Sequence, residues 1–198
     1  MTYERVAAPS VSPDSVASVN SVDVLAKCSL DICLINLNIA SIKSKKGDLP
    51  GAIAAYEEGV RGIRGYEQGY RNRLGEPSDK MASHRRHLVS ALGRIGSLKL
   101  KCGDNNGSLE AYAQLLKEVD NESPTSSQME KAKAHIKCAT IHRQGSSERD
   151  KRNAIKHLQE ALTMYTYLYG ENHRDTMAVS SSLRQWRAEE ESASRDNF

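Results

Sequence analysis

At three places the chain passes from one helical pattern to another in the same way, and that recurrence constrains the fold more than any other feature. The first reads Ile39-Ala40-Ser41-Ile42-Lys43, then Gly47-Asp48, then Ala52-Ile53 with Tyr56, Gly59 and Val60 following. The second reads Ile95-Gly96-Ser97-Leu98-Lys99, then Gly103-Asp104, then Ser108-Leu109 with Tyr112, Leu115 and Leu116. The third reads Cys138-Ala139-Thr140-Ile141-His142, then Gly145, then Ala154-Ile155 with Leu158, Ala161 and Leu162. A small residue beside an apolar one, a tight turn, then a small residue and a large one a turn later describe two helices packed antiparallel. Repetition of that unit predicts an all-α solenoid of helix pairs rather than a globule around one core.

The bulk properties fit this. The 198 residues suit one domain, and the mean hydropathy of −0.60 with 27% charged residues calls for much exposed surface. Tyr supplies eight of the ten aromatic residues, so packing must rest on small and aliphatic side chains. A net charge of +3 does not by itself imply nucleic acid. The most apolar window, Val24 to Ala40, carries Lys27, Asp31, Asn36 and Asn38, so no stretch approaches the roughly 20 apolar residues of a membrane span. The basic-then-apolar layout of a secretory signal is missing at the start. Cys28, Cys33, Cys102 and Cys138 form no C-x-x-C pair. Cys28 and Cys33 would lie about 140° apart around a helix, too far round to share a metal. All four are expected inside helices as small apolar residues in a reducing compartment, taken as the cytoplasm.

Along the chain, residues 1–15 are expected to be disordered, residues 16–190 to form the helical repeat domain, and residues 191–198 to be a flexible tail. Ser12-Pro13-Asp14 could open a helix. Leu25, Cys28, Ile32, Ile35, Ile39 and Ile42 fall at helical spacing and define a helix from Asp23 to Lys46. Gly47 ends it and Asp48 caps the next. That second helix carries Ile53, Tyr56, Val60, Ile63, Tyr66, Tyr70 and Leu74 at steps of three or four, and Gly75-Glu76-Pro77 stops it. A third is expected from about Ser78 to Cys102. A fourth presents Leu109, Tyr112, Leu116 and Val119 as its face. Ser127 and Glu130 are spaced as a capping box that opens a fifth, running to Gln144. After a turn from Gly145 to Asp150, the sixth carries Ile155, Leu158, Leu162, Tyr165 and Tyr169 and stops at Gly170. A last helix is expected from Thr176 to about Ser192. Gly103 follows Gly47 by 56 residues (47 to 103), more than the unit of about 34 residues common in such repeats; long helices absorb the difference.

The pattern resembles the tetratricopeptide-repeat superfamily, which implies a right-handed α-solenoid of about three repeats plus a C-terminal capping helix. The small positions of the family's first helix fall on Ala40, Gly96 and Ala139, and its turn on Gly47-Asp48 and Gly103-Asp104. Its second-helix positions fall on Ala52, Tyr56 and Gly59, on Ser108 and Tyr112, and on Ala154 and Ala161. Ala161-Leu162, then Tyr169-Gly170-Glu171-Asn172-His173-Arg174-Asp175-Thr176, looks like the linker of kinesin-light-chain-type repeats. Arg174 stands where that pattern has Pro, and Arg184 where it has a small residue; both suggest a final helix that caps the stack.

The resemblance also implies a concave groove lined by the first helix of each pair. Its positions fall on Leu34, Leu37, Asn38, Ser41 and Lys45, on Ser90, Arg94, Ser97 and Lys101, and on Lys133, Ile136, Lys137, Thr140 and Arg143. None is acidic and six are basic. The expected binding set is therefore Asn38, Ser41, Lys45, Arg94, Ser97, Lys101, Lys133, Lys137 and Arg143, favouring a protein or acidic peptide. The competing reading is that these long side chains only solvate exposed helix faces. Lys133 and Lys137 look like the last two members of the superfamily's clamp for chaperone tails; Leu37, Ser41 and Arg94 depart from it.

Other candidates carry less. His84 and His87 stand at i and i+3, but no carboxylate or third ligand joins them, so no metal is expected. Cys33 with a histidine could form a nucleophile pair, against the alternative of buried packing. The basic run from Lys43 to Arg86 is interleaved with Glu57, Glu58, Glu67 and Glu76, which favours local ion pairing over nucleic acid. No catalytic motif, phosphate loop or cofactor signature is present, so no cofactor, small-molecule substrate or catalysis is expected. The leading expectation is a non-enzymatic adaptor or scaffold. The alternative is a structural subunit of a larger assembly, whose partner covers an apolar end of the stack.

Overall fold

The computed structural model describes residues 30–74, 79–119 and 125–195. Among them are seven helices and no strand: α1 (30–45), α2 (Leu49–Leu74), α3 (Asp79–Lys101), α4 (Asn105–Glu118), α5 (Thr125–Arg143), α6 (Glu148–Tyr169) and α7 (Arg174–Arg195). From α2 to α7 each helix packs on the next in chain order and α3 also touches α5, while α1 meets α2 through Cys33 and Leu37. The architecture is an all-α, solenoid-like stack of helix pairs, α1–α2, α3–α4 and α5–α6, closed by α7.

The turns inside the first two pairs are duplicates 56 residues apart. Gly47 and Gly103 adopt φ of 85° and 80°, a left-handed geometry that costs glycine nothing. Around each, the N–H of Asp48 donates to the carbonyl of Lys43 (3.0 Å) and that of Asp104 to the carbonyl of Lys99 (2.9 Å). These are the backbone bonds of a Schellman stop. The same aspartates then cap the following helix: Asp48 Oδ1 accepts from Gly51 N–H at 2.9 Å and Asp104 Oδ1 from Gly107 N–H at 2.8 Å. The third pair uses other residues. There Ser147 Oγ accepts from Asp150 N–H at 3.0 Å, so α6 opens at Glu148, inside the stretch expected to be turn.

Small residues let the helices close. Ala40, Gly96 and Ala139 are all buried. A β-carbon at Gly96 would lie 2.8 Å from the ring of Tyr112, and Ser108 Oγ donates to the Gly96 carbonyl at 2.8 Å. On α2, β-carbons at Gly59 and Gly62 would strike Leu37 and Cys33 of α1.

Two hydrophobic clusters result, and α5 is the wall they share. Ala134, Cys138 and Ile141 join the cluster built by α1 to α4, while Ala132 and Ala139 join Leu158, Ala161, Tyr165, Val179 and Leu183 of α6 and α7.

Several expectations need correction. The isoleucine stripe that signals α1 is not the face that meets α2: Leu30, Cys33, Leu37 and Ala40 pack there, and Ile32, Ile35, Ile39 and Ile42 are exposed. In α4 the buried face is Ser108, Ala111, Tyr112 and Leu115, with Leu109 and Leu116 only half-buried. Helix α5 begins at Thr125, so Ser127 is a buried first-turn residue and not a cap, and Glu130 pairs with Lys133 instead. Cys102 sits exposed in a turn, whereas Cys33 and Cys138 are buried in helices. Helix α7 runs on to Arg195. The expectations for Ser12-Pro13-Asp14, Cys28 and the stop at residues 75–77 lie outside the described residues.

Candidate partner-binding surface

The nine groove residues belong to three helices, α1, α3 and α5, each the first of its pair. Their environments differ. Asn38, Lys45, Arg94, Lys101, Lys133 and Lys137 are exposed; Ser41, Ser97 and Arg143 are half-buried. Ser97 is turned to its own pair, where its Oγ meets the Tyr112 hydroxyl at 3.0 Å. The Tyr112 phenol is pushed up, chiefly by burial, so it stays protonated and able to donate. Leu37 packs on α2 and Ile136 on the α6–α7 cluster, so both leave the groove set.

The electrostatics are less uniform than the sequence positions imply. Acidic neighbours from outside the set pair with two of its three third-pair cations, Lys133 and Arg143. Lys133 Nζ is held by Glu130 at 2.9 Å, a bond that raises its pKa. Arg143 pairs with Glu189 of α7 and lies over the Trp186 ring, 5.5 Å from its centroid. With Lys151, Ile155 and Glu190 these residues line a small pocket where α5, α6 and α7 meet. Arg143 therefore fastens the closing helix to the stack. Among the described residues no acidic side chain pairs with Lys45, Arg94, Lys101 or Lys137.

A second cleft, of about 220 Å³, opens between α2, α3 and α4, lined by Glu57, Arg61, Arg64, Lys99, Glu110 and Gln114 over a floor that includes Val60, Leu92 and Ile95. Its cations are paired: Arg61 with Glu58, Lys99 with Glu57 at 2.9 Å, and Arg64 with Glu118 at 2.9 Å, Arg64 also donating to Gln114 at 3.0 Å. Within the basic run from Lys43 to Arg86, Arg61 pairs locally with Glu58, while Arg64 reaches across to Glu118 of α4; Lys99, outside the run, reaches across to Glu57 of α2.

Of the weaker candidates, His84 and Cys33 are buried. His84 is buried edge-on to Tyr66 with centroids 5.3 Å apart, while His87 is exposed, so the two do not converge. Burial pushes the thiols of Cys33 and Cys138 up, that of Cys138 to about 12, which favours the protonated thiol over the thiolate. Sequence reasoning missed a histidine cluster between α5 and α6. His135 Nδ1 meets His157 Nδ1 at 3.0 Å, and His142 stacks on His157 and bonds Asp150 at 3.2 Å. The spacing of 22 residues between His135 and His157 gives no local signal. Among the described residues no group of three or more His, Cys, Asp or Glu could hold a metal ion, and no helix is long and apolar enough to cross a membrane. Neither a family model nor a curated protein matches the chain.

Proposed function

We propose that this chain is a non-enzymatic interaction module, an adaptor of the tetratricopeptide-repeat kind, that holds an acidic peptide or protein segment against the first helices of its pairs. The observation that carries this reading is the set of exposed cations Lys45, Arg94, Lys101 and Lys137, spread over α1, α3 and α5 and lacking acidic partners among the described residues. One exposed ion pair contributes about 0.2–1 kcal/mol. Useful affinity therefore needs several engaged together, and such binding accelerates association and weakens with salt. Lys133 and Arg143 contribute less because Glu130 and Glu189 already hold them. Burial of Cys33 and Cys138 as apolar side chains within helices suits a reducing, cytoplasmic setting.

The test is fluorescence anisotropy with a labelled oligoglutamate peptide. Saturable, salt-sensitive binding is expected, lost in the Arg94→Glu/Lys101→Glu/Lys137→Glu variant while its helical circular dichroism stays unchanged. Equal affinity in that variant would move the site elsewhere. A second reading, a structural subunit of a larger assembly, is favoured by the exposed isoleucines of α1. It predicts that the isolated chain aggregates or co-purifies with a partner, where an adaptor elutes as a monomer.

A further inference from the structure

The isoleucine face of α1 gains its meaning from the other two pairs. Aligning the small positions Ala40, Gly96 and Ala139 puts Ile32, Ile35, Ile39 and Ile42 of α1 in register with Leu88, Ala91, Ile95 and Leu98 of α3. The last three also match Ala134, Cys138 and Ile141 of α5. In α3 these residues are 0–4% exposed, and in α5 they are 1–5% exposed. In α5 they belong to the cluster built by the preceding helices, while Ala132 and Ala139 on another face serve the cluster with α6. In the second and third pairs, then, these positions are where a first helix packs on the pair before it. In α1 they are 59%, 54%, 41% and 54% exposed.

Charge points the same way. Lys43 is the counterpart of Lys99, whose Nζ binds Glu57 of the preceding helix α2 at 2.9 Å. No acidic side chain among the described residues pairs with Lys43. The face therefore repeats the layout that α3 offers to α2, an aliphatic stripe with a lysine toward its C-terminal end, but among the described residues neither a covering helix nor a carboxylate meets it.

We propose that the isoleucine face of α1 is a docking seat for an amphipathic, carboxylate-bearing helix of a partner protein, which lies there as α2 lies on α3. The partner helix runs antiparallel to α1. It sets aliphatic residues on Ile35, Ile39 and Ile42 and a Glu or Asp, near its own N-terminal half, on Lys43. A second copy of this chain is a poorer occupant. The helix that covers the equivalent face of α3 is α2, and in a second copy α2 is already packed against α1 and α3. The seat shares no residue with the proposed peptide set, although Asn38 and Lys45 lie within a turn of Ile42 on α1; Lys137 on α5 therefore serves as the control that tells the two apart.

The probe is a labelled synthetic peptide of residues 49–74, the α2 sequence with Glu57 and Val60, titrated into the full chain. Saturable binding is expected. Ile39→Asp should weaken it at least tenfold, and Lys137→Glu should leave it unchanged. A peptide carrying Glu57→Lys should bind about threefold more weakly and recover on Lys43→Glu protein. Lack of binding, or binding indifferent to Ile39→Asp, overturns the proposal. Two further results also overturn it by naming another occupant. Concentration-dependent dimerisation abolished by Ile39→Asp would assign the face to a second copy. Slow maleimide labelling of Ile39→Cys in the isolated monomer, read at that residue by mass spectrometry, would assign it to a segment of the chain itself.

Discussion

Replacing Gly96 with alanine tests whether small residues really set the spacing of the pairs. The new β-carbon would stand 2.8 Å from Cε1 and Cζ of Tyr112 and 3.0 Å from Cδ1. The ring cannot simply retreat, because Tyr112 is buried in the core and its hydroxyl is bonded to Ser97. Forcing an extra carbon into a packed core costs about 1–3 kcal/mol, and straining the Ser97 bond adds up to about 1 kcal/mol. Against this, alanine in a helix interior is favoured over glycine by about 0.5–1 kcal/mol. The balance is a loss of about 1–2 kcal/mol, or a melting temperature lower by about 3–6 °C for a chain of this size. One turn earlier, Gly93 offers the internal control. Its β-carbon would meet only the Leu115 Cδ1 methyl at 3.3 Å and the flexible Glu130 carboxylate at 3.5 Å. Gly93→Ala is therefore expected to be neutral or stabilising by up to about 1 kcal/mol. Both are read from urea and thermal unfolding followed by helical circular dichroism. Tyr112→Leu removes the obstructing ring atoms, so in a double-mutant cycle the Gly96→Ala penalty should largely vanish on that background. If Gly96→Ala unfolds at the same midpoint as Gly93→Ala, close approach at Gly96 is not what positions α4 on α3.

Other expectations follow from particular contacts. Asp48→Ala and Asp104→Ala each remove a helix cap and should each cost about 1 kcal/mol; because the turns are duplicates in separate pairs, the double variant should lose the sum in urea denaturation. The histidine pair predicts acid sensitivity. Burial first, then the neighbouring His157 and Lys131, push His135 down from the ordinary 6.5 to about 4, and burial pushes His157 down as well. The unfolded chain thus binds these protons before the folded one does. Stability should be full above pH 6.5 and fall as pH drops toward 4, with a slope of up to about 1.4 kcal/mol per pH unit for each histidine. Urea midpoints measured across that range should flatten in His135→Gln; an unchanged slope would refute the assignment.

Much of the fold was legible in the sequence because its signals are local. A Gly-Asp pair after an apolar stretch specifies a left-handed stop and a cap within six residues: Gly47-Asp48 forms both as expected, and Asp104 proves to cap α4 in the same way. Three- and four-residue apolar steps located α2 and α6, since a long amphipathic helix repeats its signal over many turns. Shorter signals misled. Ser127 and Glu130 have capping-box spacing, yet two earlier residues already belong to α5. Leu109 and Leu116 are as apolar as Leu115, and only the position of α3 selects which of them is buried.

What the sequence determined by itself is the set of helices, their turns and the small positions at which they meet, because these depend on backbone geometry and on side-chain size within a few residues. The tertiary structure alone decided what each face touches. Apolar spacing cannot separate the side of α1 that packs on α2 from the side carrying Ile32, Ile35, Ile39 and Ile42, since both read as helical stripes. It also cannot show that Glu130 and Glu189 sit beside Lys133 and Arg143, or that His135 meets His157. Those pairings join residues that are distant along the chain or on adjacent helices, and packing alone brings them within reach.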